Sequence, residues 1–131
     1  MSNFHDMHEN DISGIIIDIA IKIHKKLGPG LLESVYESIL YYELVKMGFF
    51  VERQKDVEVY RDNIKMDIGF RSDLIVERKV IVELKAVETL HPVFSRILFT
   101  YLKVTGKKLG LIINFGEVYL KNGIKRVVNG L

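Results

Sequence analysis

The stretch from Ser72 to Ala86 constrains the fold more than any other part of this chain. Its two apolar runs flank Glu77-Arg78-Lys79 and predict a β-hairpin. Strand side chains alternate between faces, so Val80, Val82, Leu84 and Ala86 fill one face while Glu83 and Lys85 share the other. The turn decides what joins them. A three-residue turn at Glu77-Arg78-Lys79 sets Val76 opposite Val80 and Asp73 opposite Glu83. A two-residue turn at Arg78-Lys79 sets Asp73 opposite Leu84 and parts the carboxylates. Two carboxylates and an ammonium on one face point to a site that holds a divalent cation and handles phosphate. The plain alternative is a strand edge on which Lys85 pairs with its acidic neighbours.

The rest of the chain alternates helical and strand patterns. Asp11 or Ser13 is expected to cap a first helix reaching Leu27, with Ile12, Ile15, Ile16, Ile19, Ile23 and Leu27 on one face. Gly28-Pro29-Gly30 ends it. A second helix from Leu31 to Met47 carries Leu32, Tyr36, Ile39, Leu40, Leu44 and Met47 inward. Phe49, Val51, Val57 and Val59 alternate as a strand with a bend near Lys55-Asp56. Asp62-Asn63 signals a turn, after which Ile64, Met66 and Ile68 alternate up to Gly69. A third helix over 92–105 turns Phe94, Ile97, Leu98, Tyr101 and Leu102 inward. Leu109–Phe115 is continuously apolar, as in a strand buried on both faces. A closing hairpin around Asn122-Gly123 is expected. Residues 1–10 are expected to be a flexible tail and 11–131 a single domain.

Composition limits the functional classes. With 131 residues the chain can bury a core without cross-links. It has no cysteine, which removes disulfides, thiolate catalysis and Cys-based zinc sites. A net charge of +2 gives no overall basic signature, so attraction to phosphate must be local. The N-terminus carries Asp6, Glu9 and Asp11, unlike a signal peptide, and no apolar run is long enough to span a bilayer. The expectation is a cytoplasmic protein without membrane association.

Two carboxylates and a backbone carbonyl, that of Leu84, are hard oxygen ligands suited to Mg²⁺ or Mn²⁺. Lys85 could orient or help deprotonate a water, or steady an oxyanion. Glu33 lies in the first turn of the second helix, where the dipole favours an anion, and Tyr36 is its neighbour at i+3. The plain alternative is a dipole-stabilising acid and a core tyrosine. Lys79, Arg71, Arg96, Lys103, Lys107 and Lys108 are candidate phosphate contacts, with Arg96 and Lys103 seven apart on one helix face. His5 and His8 have metal-like spacing but no partner, His24 suits a helix C-terminus, and His91 caps or precedes the third helix.

Gly30-x-x-Glu33-x-x-Tyr36 resembles the signature of the GxxExxY proteins, a prokaryotic group of the PD-(D/E)XK nuclease superfamily. The likeness continues through Asp73, Glu83-Leu84-Lys85-Ala86, Tyr101-Leu102-Lys103, Thr105-Gly106 and Leu111–Gly116. It implies an α/β fold with a restriction-endonuclease-like αβββαβ core, a mixed central sheet flanked by helices, and an extra N-terminal helix. It also implies a metal-dependent nuclease hydrolysing phosphodiester bonds of DNA or RNA, with Mg²⁺ or Mn²⁺ as cofactor. Asp73, Glu83, the Leu84 carbonyl and Glu33 would be the metal set, and Lys85 the catalytic lysine. Tyr36, Arg96 and Lys103 are the expected nucleic-acid contacts, and a homodimer is one assembly left open. Relatives carry a His and a Gln where this chain has Phe94 and Ile97, with Arg96 as the candidate replacement. That departure favours the alternative, a catalytically weak or inactive module binding nucleic acid or a protein.

Overall fold

The computed structural model describes residues 4–66 and 70–131. Two helices come first, α1 (Glu9–Leu27) and α2 (Glu33–Met47), followed by strands β1 (Val51–Val57), β2 (Tyr60–Arg61), β3 (Ile64–Lys65), β4 (Phe70–Val76) and β5 (Val80–Lys85). Helix α3 (Val93–Thr105) leads into β6 (Leu109–Asn114), a 3₁₀ turn (Leu120–Gly123) and β7 (Ile124–Val128). Five strands form one sheet in the order β1-β4-β5-β6-β7. Only β5 and β6 run parallel, joined by α3, as a parallel pair needs a crossover. The fold is the expected α/β, restriction-endonuclease-like one with a mixed sheet.

Period-two alternation in the central strands sorts the core onto two faces. Leu74 and Val76 of β4, Val80, Val82 and Leu84 of β5, and Leu109, Leu111 and Ile113 of β6 pack against Ile12, Ile16, Ala20 and Ile23 of α1 and Tyr36, Leu40 and Leu44 of α2. On the other face Ile75, Ile81 and Ile112 pack against Leu98 and Leu102 of α3. Every residue of β6, Asn114 included, is buried, as expected of a central strand. Gly110 lets α3 approach: a Cβ there would lie 2.7 Å from a Leu98 methyl.

The turn between β4 and β5 has the predicted register. Glu77 and Arg78 both adopt positive φ, 53° and 58°, the mark of a type I′ turn. The Lys79 N–H closes it onto the Val76 carbonyl at 3.0 Å. Lys79 itself is passed over, so that Val80 pairs with Val76, Ile81 with Ile75 and Val82 with Leu74. Glu77 can be buried here because its carboxylate accepts the Phe50 N–H at 2.5 Å. Asp62 and Asn63 form a second left-handed pair between β2 and β3, as expected.

Several expectations need correction. Helix α1 starts at Glu9, capped by His8, whose Nδ1 accepts the Asn10 N–H at 2.9 Å, and not by Asp11 or Ser13. Part of the expected tail packs on the body: the Phe4 ring lies 4.4 Å from that of Phe49, and the Lys79 ammonium donates to the Met7 carbonyl at 2.7 Å. Leu32 precedes α2 and is 75% exposed, outside the core face. Residues 117–121 do not form a strand; β7 pairs with β6 instead. The bend expected in β1 falls at Gln54, with φ 49°, and leaves the pairing with β4 in register. The strand expectation at Ile68 and the interruption at Gly69 lie outside the described residues.

Tyr36 is fully buried. Its ring stacks on Phe115 with centroids 4.3 Å apart. Its hydroxyl donates to the Gly28 carbonyl and accepts the Leu31 N–H at 3.1 Å, which ties the Gly28-Pro29-Gly30 turn to α2. A ring without an exposed face cannot stack a base, so the expected nucleic-acid contact gives way to a structural role. Replacing Tyr36 by Phe leaves two backbone groups without this partner and should cost about 1–3 kcal/mol, read as a lower urea midpoint with an unchanged slope.

Candidate active site

The active-site candidate forms where β4 leaves β5. Their ladder ends at Leu74–Val82. Beyond it, β4 continues to pair with β1 alone as far as Phe70. Asp73 therefore follows the predicted register without becoming a ladder partner of Glu83. Its carboxylate occupies the gap and accepts the Leu84 N–H through Oδ2 at 2.8 Å. The N–H and C=O of one strand residue point to the same side. The Leu84 carbonyl consequently faces the Asp73 side too, while its side chain is buried in the core.

A cleft of about 260 Å³ lies between this sheet end and α3. Glu33, Arg71, Asp73, Glu83 and Lys85 line it with Phe94, Ile97 and Tyr101. Glu33 arrives on the first turn of α2, Glu83 and Lys85 on the face of β5 opposite Val82 and Leu84, and Phe94 on the first turn of α3. All four residues expected to carry the chemistry thus share one cavity. The Lys85 ammonium sits 4.1 Å from the centre of the Phe94 ring, a cation–π contact.

The electrostatics are those of acids crowded into a partly buried cleft. Burial, and then the Asp73 carboxylate, push the Glu83 carboxyl up to about 8, against the opposing pull of Lys85. Glu83 Oε1 is buried and has no hydrogen-bond partner. Glu33 is raised by burial and by Asp73, with Lys85 again opposing. Burial and the charge of Glu83 raise the Tyr101 hydroxyl.

A second set of polar groups supports Asp73 from β1. Gln54 Nε2 lies 3.3 Å from Asp73 Oδ1 and 2.6 Å from Oε1 of the buried Glu37. The Arg53 guanidinium holds Glu37 Oε2 at 2.8 Å. The end of β5 is fixed by Asn114, whose Oδ1 accepts the Val87 N–H at 3.0 Å while its Nδ2 donates to the Val87 carbonyl at 2.9 Å. Gly116 is required there, because a Cβ would lie 2.2 Å from the Val87 oxygen. Sequence reasoning did not single out Gln54 or Glu37. Glu37 follows Glu33 by four residues on the same helix face, a signal open to inspection, whereas the left-handed backbone of Gln54 has no sequence mark.

Not every expected contact comes together. Arg96 and Lys103 are exposed on α3 and do not line the cleft; Lys103 lies over the Phe99 ring at 5.0 Å. Lys79 and Lys107 are engaged at the hairpin turn, at the other end of β5, by the Met7 and Arg78 carbonyls. Among the candidate cations only Arg71 joins the cleft, and its guanidinium donates to Asp56 at 2.8 Å. His24 is buried and bonds the Glu117 carbonyl through Nε2 at 2.7 Å, while His91 caps α3 by accepting the Val93 N–H at 3.0 Å.

An Asp on one strand, followed on the next by Glu-x-Lys in the same cleft, is the pattern of a known nuclease group, and a family model described as the PD-(D/E)XK nuclease superfamily matches residues 10–127. The chain belongs to the PD-(D/E)XK nuclease superfamily. Comparison with curated proteins and with solved structures gives no match.

PD-(D/E)XK nucleases generally use divalent metals. The donors here fit such an ion in kind: carboxylate oxygens with one orphaned buried atom at Glu83 Oε1. Among the described residues, however, no three acidic or histidine side chains converge into a ready-made cage. Also among these residues, no helix is long and apolar enough to cross a membrane.

Glu83 gives the metal-free protein a pH signature. The folded state keeps this proton where the unfolded chain, titrating near 4.5, has lost it. The folded state therefore binds more protons between 4.5 and about 8, so stability falls as pH rises through that window. Replacing Glu83 by Gln should remove this fall, on the order of 2–4 kcal/mol, in urea unfolding compared at the two ends of the window.

Proposed function

We propose that the chain is a metal-dependent nuclease of the GxxExxY type, hydrolysing phosphodiester bonds of DNA or RNA with Mg²⁺ or Mn²⁺. What supports this reading is that Glu33, Asp73, Glu83 and Lys85, from three separate elements, line one cleft. Asp73, Glu83, Glu33 and the Leu84 carbonyl would hold the ion. When bound, it would neutralise charge developing on the phosphate. Lys85 would orient the attacking water and stabilise negative oxygen in the transition state. Its ammonium lies against the Phe94 ring, a contact that favours one position of the side chain. Burial at Glu83 would strengthen its interaction with an ion relative to water.

The test is cleavage of duplex DNA, single-stranded DNA and RNA with Mg²⁺ or Mn²⁺. Glu83→Ala and Lys85→Ala should each lower the rate by about 10²–10³-fold while circular dichroism stays unchanged. A Mn²⁺ titration by calorimetry should give binding for the wild type and none for Glu83→Ala. Variants that cleave as fast as the wild type would assign the activity to a contaminant.

One observation favours a second reading, a nucleic-acid or protein-binding module without turnover. Phe94 and Ile97 line the cleft where the GxxExxY resemblance expects His and Gln, so no polar group from these positions reaches substrate or water. In that case the wild type retains nucleic acid in a mobility-shift assay and cleaves none with either ion. Phe94→His with Ile97→Gln then restores cleavage.

A further inference from the structure

We propose that Gln54 is a positioning residue that holds Asp73 for cation binding by bridging it to the buried Glu37. The inference rests on the proposed metal-dependent reading of the cleft. Gln54 lies in β1 between Arg53, which pairs with Leu74, and Lys55, which pairs with Ser72, so it stands across from Asp73. Its φ of 49° is a left-handed value that a residue with a side chain rarely adopts in a strand. This backbone costs free energy and persists only where the surroundings hold it.

The bridge accounts for what that conformation achieves. The Gln54 amide nitrogen carries two hydrogens, and two carboxylates take them: Glu37 Oε1 at 2.6 Å and Asp73 Oδ1 at 3.3 Å. Glu37 is a firm anchor, because it is buried and its other oxygen accepts from Arg53 at 2.8 Å. Asp73 is then oriented from both sides, by Gln54 on Oδ1 and by the Leu84 N–H on Oδ2. Each carboxylate oxygen has a second lone pair to offer a cation. A neutral amide suits this task better than Lys or Arg, since it orients the ligand without adding positive charge beside the cation.

The experiment is calorimetric titration of Mn²⁺ into the metal-free full chain, wild type against Gln54→Gly and Gln54→Glu. Glycine accepts a φ of 49° without strain, so Gln54→Gly keeps the backbone conformation while removing the side chain and its bridge. Removing a group that orients a ligand typically weakens metal binding about 10–100-fold; because Gln54 is solvent-exposed, about 10-fold is expected. Loss of the partner of the buried Glu37 opposes the relief of backbone strain, so the thermal midpoint of Gln54→Gly should stay close to that of the wild type. Gln54→Glu, which places an acceptor between two acceptors, should bind more weakly than Gln54→Gly. Wild-type binding with an unchanged affinity in Gln54→Gly overturns the inference alone. A wild type that binds no Mn²⁺ overturns the metal-dependent reading and this inference with it.

Discussion

The register of the β4–β5 hairpin is the constraint on which the rest depends. Two left-handed residues, Glu77 and Arg78, set it by passing over Lys79. A slip of one residue would carry Asp73 to the face covered by α1 and α2, away from Glu83 and Lys85. The same slip would turn Ile75 out of the α3 core. Folding and site assembly are therefore one specification. The apolar alternation that buries Leu74, Val80 and Val82 also puts the charges together on the opposite face.

The cleft gathers like charges at a place that the sheet has opened. Had β4 and β5 stayed paired past Leu74, the Leu84 N–H would belong to the ladder. Instead the Asp73 side chain satisfies it, and Asp73, Glu83 and Glu33 line the cleft that begins there. Desolvation makes that arrangement uncomfortable, which is why the Glu83 carboxyl is driven up to about 8. Such opposition between local stability and charge is common where a fold reserves space for a ligand. The surrounding supports, Arg53 on Glu37 and Phe94 beneath Lys85, restrain the side chains that repulsion would scatter.

Much of this was legible in the residues. The helices, the hairpin, the central strand at β6 and the grouping of Glu33, Asp73, Glu83 and Lys85 follow from period, spacing and family likeness. What was hidden depends on tertiary contacts. Tyr36 looks the same in sequence whether it faces solvent or closes a turn; only its stacking on Phe115 decides. Arg96 and Lys103 share a helix face as spacing predicts, but that face turns away from the cleft because Leu98 and Leu102 dock the other side. His8 was set aside with the tail, yet a histidine ring can cap a helix as Ser or Asp does. The 3₁₀ turn at Leu120–Gly123 replaced a hairpin because β7 found a longer partner in β6.

Asn114 adds a consequence beyond its own burial. Its amide offers Val87 one donor and one acceptor, the same pair of groups that a residue of an adjacent strand would present. A single side chain thereby stands in for backbone and carries the hydrogen-bonding edge of β6 two residues past Lys85. The chain leaves the sheet along a fixed heading, so the first turn of α3, with Phe94, is aimed back over the cleft mouth. One amide in a strand thus sets the roof of a cavity to which it contributes no wall.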